Sequence, residues 1–155
     1  IKNLSLHVEY NGGITASYPI NNAWLVGVDY FLHTKDFKNT LNLKALYKNI
    51  KEKDSNVPMQ FTAVWAMNDL FGVKGLKFDG FADFWWEDHL VDFREDGTAD
   101  KKSTVFITEP QLWYNVGQHF GVDNLSLGTE IELSNNFGST GGFKCRPCLG
   151  VKWDF

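Results

Sequence analysis

Apolar and polar residues alternate one by one along almost the whole chain, and this period of two constrains the fold more than any other feature. In the first segment Leu4, Leu6, Val8 and Tyr10 share one side, against Asn3, Ser5, His7 and Glu9. Side chains that return to the same face at every second residue are the mark of a β-strand. Segment 22–33 groups Trp24, Val26, Val28, Tyr30 and Leu32 opposite Asp29 and His33. Segment 37–49 sets Phe37, Leu41, Leu43, Ala45 and Tyr47 against Lys38, Thr40, Asn42, Lys44 and Lys48. Met59, Phe61, Ala63, Trp65 and Met67 align in 59–67, and Leu76, Phe78, Ala82, Phe84 and Trp86 oppose Lys77, Asp79, Asp83 and Glu87 in 75–87. Segment 103–115 is noisier because Pro110 removes a ladder donor; its pattern puts Phe106, Leu112 and Tyr114 outward and Glu109 and Gln111 inward. Segment 124–134 sets Leu125, Leu127, Ile131 and Leu133 against Asn124, Ser126, Glu130, Glu132 and Ser134. The last, 142–155, sets Phe143, Cys145, Pro147, Leu149, Val151, Trp153 and Phe155 against Lys144, Arg146, Lys152 and Asp154. No helical period competes over a comparable length, so the chain reads as all-β with eight strands.

The breaks fall near 11–21, 34–36, 50–58, 68–74, 88–102, 116–123 and 135–141. The first, third and fifth are long and polar, and the seventh is rich in Gly, Asn and Ser. Long connections in the odd places are the pattern of an outer-membrane barrel, whose extracellular loops are longer than its periplasmic turns. The length of 155 residues suits one domain, 1–155. A net charge of −4 argues against a nucleic-acid polymer as partner, since phosphate neutralisation needs a basic surface. Two cysteines are too few for a disulfide framework. No run approaches the roughly 18 apolar residues of a membrane helix, which excludes helical spans only. A mean hydropathy of −0.28 is compatible with strands that alternate between lipid and lumen.

Periodicity does not say which face is inside. A soluble, lipocalin-like barrel would turn the apolar face inward around a ligand and present the charged face to water. Three features favour the antiparallel transmembrane β-barrel. The apolar face is too rich in Trp and Phe for a small barrel to hold internally. Large aromatics sit at strand ends (Tyr10, Trp24, Tyr47, Trp86, Trp153, Phe155), where interfacial girdles lie. The chain also closes on an amphipathic strand rather than on a helix that could pack against a soluble barrel.

The closing Gly-Val-Lys-Trp-Asp-Phe (150–155) resembles the C-terminal strand signature of bacterial outer-membrane barrels. Together with the runs 8–13, 21–27, 80–88, 108–115 and 130–137, it resembles an uncharacterised outer-membrane family related to the Tsx-type nucleoside-specific channels. The likeness spans most of the chain. It implies a bacterial outer-membrane location, lipid around the barrel, recognition of Phe155 by the outer-membrane assembly machinery, and passive passage of small polar solutes such as nucleosides. Members of that family are longer, with strands before the position of Ile1, so the eight strands read here either belong to a wider barrel or close alone. An eight-stranded barrel has an interior just wide enough for side chains and is a plug rather than a pore.

On the polar face the candidate lumen and solute residues are Phe81, Asp83, Trp85, Glu109, Gln111, Trp113, Glu130 and Glu132. Phe81, Trp85 and Trp113 would act as aromatic steps, with the carboxylates and Gln111 bonding a sugar or base edge. The plainer reading is a salt-bridged wall, with Glu130 and Glu132 opposite Lys144 and Arg146. Cys145-Arg-Pro-Cys148 imitates a redox pair, but residues three apart on a strand point to opposite faces, roughly 10 Å apart. His7, His33, His89 and His119 lack metal-ligand spacing, and no nucleophile–base or paired-carboxylate constellation is present. The residues point to no enzyme and no cofactor. The three functional readings are a passive channel, a non-conducting envelope scaffold or subunit of a membrane assembly, and a soluble ligand binder.

Overall fold

A computed structural model of the chain describes residues 2–14, 19–51 and 53–154; Phe155 lies outside them. The strands are β1 (Leu4–Ile14), β2 (Pro19–His33), β3 (Asn39–Ile50), β4 (Met59–Asn68), β5 (Leu76–Val91), β6 (Asp100–Thr108), β7 (Gln111–Tyr114), β8 (Leu125–Asn135) and β9 (Phe143–Trp153). They form one antiparallel sheet of nine strands in which sequence neighbours pair, except that β6 and β7 do not pair with each other. No described helix is long and apolar enough to cross a membrane.

The expected eight strands become nine because segment 103–115 breaks in two. β6 and β7 both pair with β5 on one side and β8 on the other, so they are two pieces of one ladder position. Pro110 has no donor, yet its carbonyl accepts from Ile131 N at 3.1 Å, and Glu109 N donates to Phe81 O at 3.1 Å. The irregularity is matched on β5 by Gly80, whose φ of 151° and missing side chain let the Glu109 carbonyl approach; a Cβ there would stand 2.3 Å from that oxygen.

Several expected boundaries shift. β1 and β2 run into the 11–21 break and pair Ile14 with Pro19. Phe37 belongs to the turn before β3, at φ 57°. β5 and β6 extend into the expected 88–102 break as a ribbon that pairs Val91 with Asp100. A turn through Asp96 and Gly97 forms at its tip, with Gly97 at φ 81°. Long connections are not confined to the odd places as expected: 115–124 is longer than 51–58 or 92–99, and it contains a 3-10 turn, Gly117–His119.

The two faces differ in what they meet. Leu6 is 87 % exposed, and Val8, Trp24, Val26, Leu43, Tyr47, Phe61, Leu127, Leu149 and Val151 are exposed with it. The opposite face holds the packed groups: Ala23, Leu25 and Leu46 in one cluster, Trp85, Val105 and Ile107 in another, with Ile50 touching both. Side chains on this face also meet across intervening strands, Lys44 with Glu9 and Lys48 with Trp85. A sheet whose next-nearest strands touch on one face is curled toward that face, so the charged side is the concave one. At Gly27 the backbones close in: a Cβ would lie 2.1 Å from Ala45 O.

β1 and β9 are the two edges of the sheet, and among the described residues no ladder joins them. Phe31 N donates to Asn3 O at 2.8 Å, so the odd residues of β1 bond to β2 and Leu4, Leu6, Val8 and Tyr10 turn their backbone groups to the free edge. Ile131 N is committed to Pro110 on the β7 side, so the Ile131–Pro147 pair carries no ladder bonds. Pro147 therefore places its missing donor on the open side of β9, the position an edge strand tolerates.

Candidate functional site

Period two places Asp83, Trp85 and Glu87 side by side on the concave face of β5. Curvature brings β3 and β4 over them. Lys48 Nζ sits 3.6 Å from the centroid of the Trp85 ring and donates to Gln60 Oε1 at 2.7 Å. Gln60 Nε2 donates to Thr62 Oγ1 at 3.0 Å, and Thr62 Oγ1 donates to Asp83 Oδ1 at 2.5 Å. Trp85 Nε1 donates to Glu87 Oε2 at 2.9 Å, and Lys53 Nζ approaches Glu87 at 3.6 Å. Beyond Lys44, His7 and Glu9 are 2.9 Å apart on β1. The result is one polar chain across β3, β4 and β5, with an indole at its centre. The ammonium over the ring is a cation–π contact strengthened by burial, and Trp85 is only 8 % exposed.

Phe81 packs beneath this group against the Trp85, Val105 and Ile107 cluster. The other five candidates lie further round the wall. Trp113 Nε1 donates to Gln111 Oε1 at 2.9 Å. Its ring lies along the wall over two glycines on the next strands: a Cβ at Gly128 would stand 2.5 Å from the indole and one at Gly150 3.0 Å. Gln111 pairs in register with Glu130, and the Glu109 carboxyl meets that of Glu130, with Glu132 adding a further negative charge. Glu132 bonds Arg146, and both bond Ser134.

The eight candidates thus fall into two groups, Phe81–Asp83–Trp85 under β3–β4, and Glu109–Gln111–Trp113–Glu130–Glu132 on β6 to β8. The expected pairing of Glu130 and Glu132 with Lys144 and Arg146 holds at one rung only. Glu132 is opposite Arg146, whereas Glu130 is opposite Cys148 and Lys144 is opposite Ser134. Lys48, Gln60 and Thr62 complete the first group and were not among the sequence candidates. Their alternation put them on the polar face, but only the curl of the sheet shows that they close on Trp85. Cys145 and Cys148 are free and exposed. Among the described residues, no group of three or more His, Cys, Asp or Glu is placed to hold a metal ion.

No curated protein and no solved structure matches the chain. Residues 1–155 match the family model described as "Domain of unknown function (DUF5020)", and the chain belongs to that family.

Proposed function

We propose that the chain forms the wall of a β-barrel in the bacterial outer membrane and passes small polar solutes, such as nucleosides, passively through its interior without a cofactor. The observation that carries this reading is the exposed convex face. Monomeric soluble proteins rarely leave a contiguous apolar patch of this extent. Leu6, Val8, Leu149 and Val151 are between 64 % and 88 % exposed. A lipocalin-like binder needs the reverse arrangement, with that face turned in. Aromatic rings mark the two ends of the band. Tyr10 and Trp24 meet at a tilt with centroids 4.9 Å apart near one end, with Tyr47, Phe61 and Trp86 beside them; Trp65, Phe78, Tyr114 and Trp153 lie toward the other. Phe78 and Trp86 are eight residues apart on β5, about 26 Å of strand at the usual rise. At a tilt of about 35–45° this is roughly 20 Å of height, close to the roughly 25 Å apolar band of such barrels.

The edges support closure. Both β1 and β9 turn the backbone groups of their convex-face residues to the free side. They can pair directly, or through an even number of further strands, without exchanging inside for outside. Lipid covers the convex face, and the assembly machinery reads the terminal strand at Phe155. Glu109 and Glu130, with no opposing cation in register, favour neutral or cationic solutes over anions.

The packed clusters and the Lys48 cover on Trp85 favour the second reading, a non-conducting scaffold, wherever the sheet closes with no further strands. Planar-bilayer conductance and nucleoside flux into proteoliposomes separate the two. Conductance and flux that weaken in Trp85→Ala and Trp113→Ala are the expected result. A correctly inserted barrel with neither conductance nor flux would overturn the channel and leave the scaffold.

A further inference from the structure

The turn 136–142 is strapped across the end of β5 at three points. Phe137 meets Trp85 edge-on, with centroids 6.3 Å apart. At the far side Asp92 N donates to Ser139 O at 2.9 Å and Gly141 N donates to Asp92 Oδ1 at 3.0 Å. Between them stands His89, 8 % exposed. Its Nδ1 is 2.8 Å from Glu87 O, and its Nε2 is 2.8 Å from Asn136 O. Asn136 holds itself in place through its side chain, donating from Nδ2 to Thr104 O at 3.2 Å and accepting from Gly142 N at 2.9 Å. Its own carbonyl is thereby aimed at the imidazole.

Both neighbours of the His89 ring are carbonyl oxygens, which only accept. A neutral imidazole has one N–H, so one of the two contacts would set lone pair against lone pair; the imidazolium donates to both. We infer that His89 is a proton-operated latch that holds the 136–142 turn over Trp85 when the ring is protonated and releases it when the ring is neutral. The inference rests on the reading of Trp85 as a solute contact, since it makes the turn a cover for that ring.

The sign follows from the donors. Protons favour the strapped turn, because only the doubly protonated ring donates to both carbonyls, so the strap weakens as pH rises. Lys102, directly opposite His89 on β6, works against the protonated ring. Glu87 and Asp92 flank it with negative charge, Glu87 shared with Lys53 and Asp92 bonded to the turn. Asp88 is paired with Lys101 at 2.9 Å, and Asp100, opposite Val91, with Arg94 at 2.8 Å. The turn itself, Asn136 to Gly142, carries no ionisable side chain.

Hydrogen exchange of the 136–142 amides in the detergent-folded protein tests the latch between pH 5 and 8, after correction for intrinsic exchange. Protection in the native protein should fall by about tenfold across the range, the effect of losing one charge-assisted bond; in His89→Gln it should be flat. A flat native profile, or an unchanged slope in His89→Gln, would overturn the latch. Nitrogen-15 shifts of the native His89 ring give a second readout independent of any variant: both nitrogens protonated at pH 5 is the expected result, and a single protonated nitrogen there refutes it. Neither measurement uses flux. A latch that fails in a conducting barrel therefore fails alone, and a working latch in a barrel without flux leaves only the channel reading lost.

Discussion

Arginine at Leu43 separates a lipid-facing wall from a water-facing one. In register Tyr30, Leu43, Ala63 and Ala82 follow one another across β2 to β5. Ala82 stands midway between Phe78 and Trp86, so Leu43 lies near the middle of the apolar band. It is 43 % exposed. Leu43→Ala and Leu43→Arg lose the same leucine contacts, about half of the roughly 1.5–3 kcal/mol that full burial of the side chain is worth. Their difference is therefore the cost of the guanidinium in its surroundings. In water that difference stays within about 0.5 kcal/mol. At the middle of a bilayer it is about 2–4 kcal/mol. Reversible denaturant unfolding of both variants from lipid vesicles measures it. A gap below about 1 kcal/mol, with both variants inserted, would refute the assignment of the convex face to lipid.

Two glycines should respond differently to alanine. At Gly27 the new methyl meets the backbone of Ala45 and Leu46, which cannot yield without parting β2 from β3, so Gly27→Ala should cost about 1–3 kcal/mol in unfolding experiments. At Gly150 it meets the rim of the Trp113 ring, which can tilt away, so Gly150→Ala should shift Trp113 fluorescence with little loss of stability. The Lys38 ammonium, 2.5 Å from Asp69, holds that carboxyl below its ordinary value of 3.8, helped by Gly75 N. The contribution of that pair is present above pH 3.8 and is lost as pH falls through the lowered value; Lys38→Ala should lower the melting temperature near pH 6, by an amount that shrinks as the pH is taken below 3.8. Deleting Phe155 should reduce outer-membrane yield far more than it reduces the stability of barrel refolded in vitro; normal yield in cells would count against an assembly role for that residue.

The strands were legible because alternation is a local property. Leu43 and Lys44 need only their neighbours in sequence to be assigned to opposite faces, and so do Glu130 and Ile131. The noisy 103–115 segment announced its own irregularity through Pro110, but not its outcome, because the break is completed by Gly80 on another strand. Register was beyond reach. Glu130 faces Cys148 rather than Lys144 because the β8–β9 turn, and not charge attraction, sets the rung. The ends of β5 and β6 were misplaced for a related reason: the ribbon to Val91 is held by pairing with Asp100 and by the packed turn 136–142, and polarity alone reads those residues as loop.

The amino-acid sequence by itself determined that this chain is β throughout and which residues share a face, since a two-residue period survives any arrangement of the strands. It could not say which face is concave, because exchanging the two faces leaves the period unchanged. Only the tertiary structure decided that, by curling the sheet over Leu25, Leu46, Val105 and Ile107 and so bringing Lys48 onto Trp85. The contact of His89 with Asn136 likewise exists only in the folded sheet, where 47 residues of chain separate two groups 2.8 Å apart. Such meetings depend on curvature, bulge and register, which are long-range quantities that no local pattern encodes.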